Sequence, residues 1–207
     1  MTVDVPGRPS DQSPALDPFG ALAYIVYAAI GGVMVYGFAA AIGPALETQK
    51  ESVCRSLAPE DREGPAPEFA VRDLDGNEVS LSDFRGKFVV INFWATWCPP
   101  CVTEWPQVHQ LAERLGDRDD VVVLAISIDD TPDPIGPFLE RMALGETKVR
   151  VLWDSNKEIH TAYGTEKMPD TYFVDENGQL VHAYINERKW GSPGAVQCVE
   201  SMIGRRS

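Results

Sequence analysis

The fold is decided by one stretch of the chain, Phe93-Trp94-Ala95-Thr96-Trp97-Cys98-Pro99-Pro100-Cys101. Ahead of its cysteines, the nearly continuous apolar run from Phe88 to Trp94 predicts a β-strand that is buried on both faces. Behind them, apolar residues recur with helical spacing from Cys101 to Leu115, which predicts an amphipathic helix. The two cysteines therefore lie where a buried strand ends and a helix begins.

This position favours redox chemistry at the cysteine pair. Unpaired backbone N–H groups and the positive end of the helix dipole stabilise a thiolate at Cys98, and the thiolate is the attacking species in disulfide exchange. We expect Cys98 to be the nucleophile and Cys101, one helical turn along, to be the resolving thiol. A structural zinc site would need two further ligands, whereas the chain has no second CxxC and only three scattered histidines. We therefore predict no metal site, and no organic cofactor, because the electrons pass through the two sulfur atoms.

The rest of the pattern is that of a folded α/β domain. The turn at Asp75-Gly76-Asn77 predicts a β-hairpin, and Asp175-Glu176-Asn177-Gly178 predicts another between the strands Thr171–Val174 and Leu180–Ile185. The other predicted elements are strands at Val121–Ile128 and Arg150–Trp153, and helices at Pro137–Leu144 and from Ser192-Pro193 onward. This order predicts a central mixed β-sheet with helices on both faces.

A segment ahead of this domain predicts a membrane anchor. Residues 19–46 contain no charged side chain, and their centre, Ala21 to Ile42, would form a helix about 33 Å long, enough to cross a hydrocarbon core of about 30 Å. The alternatives are a buried soluble helix and a signal peptide cleaved near Ala39-Ala40-Ala41. The predicted organisation is a polar tail at residues 1–18, a transmembrane anchor at 19–46, a linker at 47–66 and the folded domain at 67–207.

The strongly negative net charge argues against two classes of binding partner. The 207-residue chain carries a formal net charge of −13, which speaks against nucleic-acid binding and against electrostatic adhesion to anionic lipid. The charges that flank the apolar segment are balanced too evenly to orient it.

Two further cysteines, Cys54 and Cys198, lie near the two ends of the part that follows the anchor. They are either unrelated thiols or a structural disulfide. Exported proteins in an oxidising compartment rarely leave exposed thiols unpaired, so a bond that joins the linker to the last helix is expected.

The stretch 93–101 resembles the active-site segment of thioredoxin-fold proteins, and residues 66–205 are similar to the membrane-tethered TlpA/ResA/CcmG-like branch of thiol–disulfide oxidoreductases. Met168-Pro169 matches the cis-proline that faces the cysteines in this family, and Pro106 matches a proline that kinks the active-site helix. A general thioredoxin has a buried aspartate where this chain has Asn92. The resemblance makes Glu104 the substitute proton carrier.

The resemblance implies a thioredoxin-like fold and the site residues. The expected catalytic residues are Cys98, Cys101, Glu104 and Pro169, and those expected to contact a substrate are Trp97, Pro99, Pro100 and Met168. A cis bond would expose the Met168 backbone for β-like pairing with a substrate segment. The two prolines between the cysteines have no N–H to donate to the Cys98 sulfur, so its thiolate is less stabilised and the couple less oxidising.

The expected function is therefore that of a disulfide reductase on a single span in a bacterial inner membrane, with its folded domain in the periplasm. Its implied partners are disulfide-bearing clients of cytochrome c maturation (apocytochrome c) or of oxidase copper-site assembly, together with a membrane thiol donor. The alternatives are a Cu(I)-binding metallochaperone, a thiol peroxidase and a redox-inactive binding module. A peroxidase favours a peroxidatic cysteine without an adjacent partner, and the intact cysteine pair argues against the binding module.

Overall fold

The computed structural model describes residues 18–142 and 147–203. The chain divides into two compact units, residues 1–47 and residues 48–207. The predicted polar tail lies outside the described residues except for Pro18, and so do residues 143–144 at the end of one predicted helix.

The described part of the first unit is helical. Helix α1 runs from Pro18 to Arg55 and so extends into the second unit. Its segment Phe19–Ala41 has a mean hydropathy of 1.8, and none of its apolar window is buried. A helix of this length and composition meets the requirement for crossing a membrane.

The second unit is built on one mixed β-sheet of eight strands, in the order β1-β8-β7-β4-β5-β6-β2-β3. The strands are β1 Glu60–Asp61, β2 Ala70–Asp73, β3 Glu78–Ser80, β4 Phe88–Trp94, β5 Val121–Ser127, β6 Arg150–Trp153, β7 Asp170–Val174 and β8 Leu180–Ile185. The helices are α2 Pro99–Leu115, α3 Ile135–Met142, α4 Ile159–Ala162 and α5 Pro193–Met202, with a 3₁₀ turn at Leu81–Phe84.

Strand β4 lies in the middle of the sheet, between β7 and β5. Every one of its side chains is buried, as the apolar run predicted. It pairs in parallel with β5, from Phe88 opposite Val121 onward, and antiparallel with β7. Hydrophobic clusters cover the two faces of the sheet, and α2 and α5 contribute to the same cluster. This confirms the predicted thioredoxin-like α/β fold. The end of β4 is held inside the sheet, and the cysteine segment follows it directly.

The structure differs from the predicted linker at residues 47–66. Helix α1 continues to Arg55, β1 pairs with β8, and Pro65 forms a bridge with Gln179. The glycine and proline residues here predicted a linker that spaces the domain from the membrane, but Gly64 adopts a φ of 114°, a backbone conformation that favours glycine. From Thr48 onward, the segment is therefore part of the second unit. Strand β1 and helix α4 were not predicted.

A disulfide joins the beginning of this unit to its last helix. Cys54 in α1 and Cys198 in α5 are 4.8 Å apart at their Cα atoms, and both side chains are fully buried. The Tyr184 hydroxyl lies 3.5 Å from the Cys198 sulfur. The bond closes a loop with a sequence separation of 144 residues.

Candidate active site

The cysteine pair occupies the first turn of α2. Cys98 is the N-cap residue, Pro99 and Pro100 begin the helix, and a disulfide links Cys98 to Cys101. The Cys101 amide donates a hydrogen bond of 3.3 Å to the Cys98 sulfur. Only 5% of Cys98 and 2% of Cys101 are exposed, whereas both prolines are exposed. The sulfur of Cys98 therefore has a backbone donor at the helix N-terminus, where a thiolate is stabilised.

A buried carboxylate holds the turn that precedes the cysteines. Asp129 follows β5 and accepts hydrogen bonds from the amide of Thr96, at 3.1 Å, and from its hydroxyl, at 2.7 Å. The Ser127 hydroxyl donates to the same carboxylate. The sequence analysis missed Asp129. The available signal was its place after a buried strand parallel to β4, because the ends of neighbouring parallel strands lie at the same edge of a sheet.

The segment opposite the cysteines contains the cis peptide bond. Met168–Pro169 is cis, and Pro169 is buried beside the start of β7. The carbonyl oxygen of Met168 lies 3.7 Å from the Cys98 sulfur. Trp97, which precedes Cys98, is 59% exposed. The backbone of Met168 therefore faces the first cysteine, and an exposed aromatic side chain adjoins that cysteine in the chain.

Glu104 is a buried carboxyl group one helical turn beyond Cys101. It is 3% exposed, and its Oε1 atom accepts hydrogen bonds from the Arg188 amide, at 2.7 Å, and from the Trp190 indole, at 3.0 Å. Asn92 donates to Oε2 at 3.0 Å and also to the hydroxyl of Thr171. Burial raises the pKa of Glu104 to about 7, although these hydrogen bonds oppose the shift. The side chain can therefore exchange a proton near neutral pH.

The structure thus brings together Cys98, Cys101, Met168 and Pro169, and it places Glu104 on the helix that carries the cysteines. Cys54 and Cys198 form a separate disulfide. Within residues 18–142 and 147–203, no three His, Cys, Asp or Glu side chains form a group that could hold a metal ion.

Comparison with known proteins agrees with this geometry. The sequence profile of the AhpC/TSA family matches residues 63–183. The chain belongs to this family. Among the relatives of this chain, thiol-disulfide oxidoreductase ResA of Bacillus anthracis is 33% identical over 123 residues, which cover 59% of this chain and 69% of ResA. ResA of Geobacillus thermodenitrificans is 35% identical over 115 residues, which cover 56% of this chain and 64% of ResA.

Solved structures of thiol–disulfide oxidoreductases resemble the fold of this chain. The thiol:disulfide interchange protein DsbE of Chlorobium tepidum has a TM-score of 0.61 at 26% identity, covering 70% of this chain and 99% of that protein. A thiol-disulfide oxidoreductase of Bacteroides vulgatus has a TM-score of 0.57 at 27% identity, covering 67% and 94%. These comparisons confirm the predicted resemblance. The protein is a thiol–disulfide oxidoreductase of the ResA/DsbE type.

Proposed function

We propose that this oxidoreductase is a reductase of client disulfides, anchored in a bacterial inner membrane with its catalytic unit in the periplasm. Its clients would be proteins of cytochrome c maturation or of oxidase copper-site assembly. The observation that carries the proposal is the pairing of a Cys-Pro-Pro-Cys turn at a helix N-terminus with a buried carboxyl group, Glu104, whose pKa of about 7 lies near working pH.

In the proposed reaction, the reduced protein attacks the client. The Cys98 thiolate attacks one sulfur of the client disulfide, so a mixed disulfide forms and the client's other sulfur leaves as a thiolate. The Cys101 thiolate then attacks the Cys98 sulfur and releases the second client thiolate. Two electrons pass to the client, which gains two thiols, and Cys98 and Cys101 end as a disulfide.

Glu104 would take the proton that Cys101 must lose. Residues three apart on a helix are neighbours on its surface, so Cys101 and Glu104 share one face of α2. A carboxyl group with a pKa of about 7 is partly ionised at neutral pH, so it can accept a proton and later return it. Asn92 fixes the carboxyl group by its hydrogen bond to Oε2.

The reducing direction is supported by the dipeptide between the cysteines. Pro99 and Pro100 have no N–H, so within the turn the Cys101 amide is left to donate to the Cys98 sulfur. A less stabilised thiolate makes the dithiol a better electron donor. Recycling the resulting disulfide would require a thiol donor in the same membrane.

Two observations support the location. The helix segment Phe19–Ala41 has the length and composition of a membrane span. The buried Cys54–Cys198 disulfide fits an oxidising compartment, because such bonds are rare in the cytosol. The first supports a single membrane span, and the second supports a catalytic unit on the oxidising, periplasmic side of it.

The roles of the two cysteines are tested by trapping. Reduced full-length protein in detergent micelles is mixed with a disulfide-containing peptide that carries the cysteine spacing of a client. The Cys101→Ser variant should accumulate a covalent mixed disulfide, and the Cys98→Ser variant should not. Accumulation in Cys98→Ser alone would contradict the assigned roles, and release of peptide thiols by neither the wild type nor Cys101→Ser would contradict the reductase.

A further inference from the structure

The loop that follows β8 supplies backbone donors to two buried carboxyl groups. The Asn186 amide donates to Oδ1 of Asp170 at 3.0 Å, and the Arg188 amide donates to Oε1 of Glu104 at 2.7 Å. Asp170 directly follows the cis-proline in the chain. One short stretch of backbone therefore contacts both the carboxyl group on the active-site helix and the one beside Pro169.

Burial fixes only the far end of this loop, where Trp190 is 1% exposed and packs against Phe173 and Tyr184. Asn186 and Glu187 are exposed, and Asn186 has a φ of 65°, in the left-handed region. The half-buried Arg188 holds the exposed part of the loop that precedes Trp190. Its guanidinium group donates hydrogen bonds to five backbone carbonyls, those of Ile185 at 2.9 Å, Asn186 at 3.2 Å, Glu187 at 3.0 Å, Leu57 at 2.8 Å and Ala58 at 3.5 Å.

These carbonyls come from two parts of the chain. Two, those of Asn186 and Glu187, belong to the loop itself, and that of Ile185 ends β8, so the guanidinium group ties the loop to its own backbone and to the strand before it. Leu57 and Ala58 belong to the segment that follows α1, so the same group fastens the loop to the beginning of the second unit. A guanidinium group suits this arrangement, because its N–H donors point in fixed, coplanar directions that a lysine ammonium cannot reproduce.

We propose that Arg188 is a positioning residue for the redox site, whose guanidinium group fixes the loop so that the Arg188 amide stays within hydrogen-bond distance of Glu104. The inference rests on the role proposed above for Glu104. Arg188 acts through its own backbone, since the guanidinium group is engaged with carbonyls and the amide contacts the carboxyl group. The segment after α1 thereby becomes part of the scaffold of the site.

The direction of the effect follows from the groups around Glu104. The Arg188 amide, Asn92 and Trp190 all lower the pKa of Glu104 by donating to its carboxylate, whereas the charge of Glu187 raises it. Asp170 lies on the face of β7 opposite to that of Thr171, since side chains alternate along a strand. The two cysteines at the start of the same helix are joined in a disulfide and carry no charge. Loss of the amide hydrogen bond should therefore raise the pKa of Glu104.

The test measures the titration of Glu104 directly. Full-length oxidised protein in detergent micelles, with ¹³C-labelled glutamate carboxyl groups, is titrated by NMR, and the resonance that disappears in Glu104→Gln is assigned to Glu104. In Arg188→Lys, which keeps the charge, the titration midpoint should rise by about one pH unit. Arg188→Met should shift it at least as far. Arg72→Met is the matched control, because Arg72 also donates to a backbone carbonyl, that of Gly76, in the remote β2–β3 turn.

An unchanged midpoint in Arg188→Lys, in a folded protein, would overturn the inference. If Arg188→Met does not fold, the lysine variant alone decides. A midpoint that shifts equally in Arg72→Met would also overturn it, because the effect would then not be local. Failure of the role proposed for Glu104 would give a different result from failure of this inference. Glu104→Gln and the wild type would then reduce the client at the same rate at every pH, whatever the NMR midpoint.

Discussion

The Glu104→Gln variant should gain stability over the wild-type protein as the pH rises. In the folded protein, burial raises the pKa of this carboxyl group from its ordinary value of 4.5 to about 7. The folded state therefore keeps a proton that the unfolded chain has already released. Between these two pH values, each pH unit costs the wild type about 1.4 kcal/mol of unfolding free energy.

The magnitude follows from the size of the pKa shift. Below pH 4.5 the group is protonated in both states and contributes no pH dependence. Above pH 7 it is ionised in both, and the wild type has lost about 3 kcal/mol. Glutamine carries no charge to bury, and its carbonyl oxygen can still accept from the Arg188 amide and the Trp190 indole. Its NH₂ group would face the amide of Asn92, which must turn over to present its oxygen.

The assay is urea unfolding of the oxidised full-length protein in detergent micelles, followed by the fluorescence of the buried tryptophans. The difference between Glu104→Gln and wild type should grow by about 3 kcal/mol in favour of the variant between pH 4.5 and pH 8. Glu140→Gln, which removes an exposed carboxylate from α3, should change stability little at either pH. A difference for Glu104→Gln that stays constant over this range would refute the argument that burial raises the pKa of Glu104.

Three further substitutions test neighbouring parts of the account. Replacing both Cys54 and Cys198 by alanine should lower the unfolding free energy by about 4 kcal/mol, because the bond closes a long loop, and should leave the Cys98–Cys101 couple active. Asp129→Ala should cost about 3 kcal/mol, because it leaves buried donors in the preceding turn without an acceptor. Asn92→Asp should destabilise the protein by about 2 kcal/mol or more at pH 8 and much less at pH 5, because it places a second carboxylate next to Glu104.

Each of these results has a control in the same chain. A strong reductant opens Cys98–Cys101 as well as Cys54–Cys198, so reduced wild type and reduced double variant should be equally stable. Asp130→Ala, at the exposed residue next to Asp129, should cost less than about 1 kcal/mol. A loss equal to that of Asp129→Ala would show that the Asp129 carboxylate does not specifically stabilise the turn at Thr96. An effect of Asn92→Asp that is equal at pH 5 and pH 8 would show that charge repulsion is not its cause.

The sheet could be predicted because its central strands have simple sequence signals. A strand that is buried on both faces is a continuous apolar run, as β4 is, and Arg150–Trp153 forms β6 at the predicted residues. The cysteine pair was placed correctly because a strand end and a helix start lie on either side of it. These signals are local, so the sequence is sufficient to find them.

Asp129 had one signal, its place after a buried strand, but the other supporting contacts could not be predicted, because they are long-range and involve the backbone. Asp129 reaches Thr96 across 33 positions, and Arg188 donates to carbonyls, which leave no pattern in the sequence. Prolines and glycines in residues 47–66 predicted a linker, since these residue types mark both flexible segments and tight turns. The extension of α1, the pairing of β1 with β8 and the bridge between Pro65 and Gln179 separate the two possibilities.

The reduction potential of the Cys98–Cys101 pair tests the central claim most directly. Full-length protein in detergent micelles is equilibrated with glutathione and with thioredoxin-type redox buffers, and the dithiol fraction is read by alkylation and mass spectrometry. A reductase with two prolines between its cysteines should have a potential at or below the roughly −270 mV of thioredoxin. A potential near the roughly −120 mV of a strong periplasmic oxidant would contradict the account and would mean that the protein inserts disulfides rather than removes them.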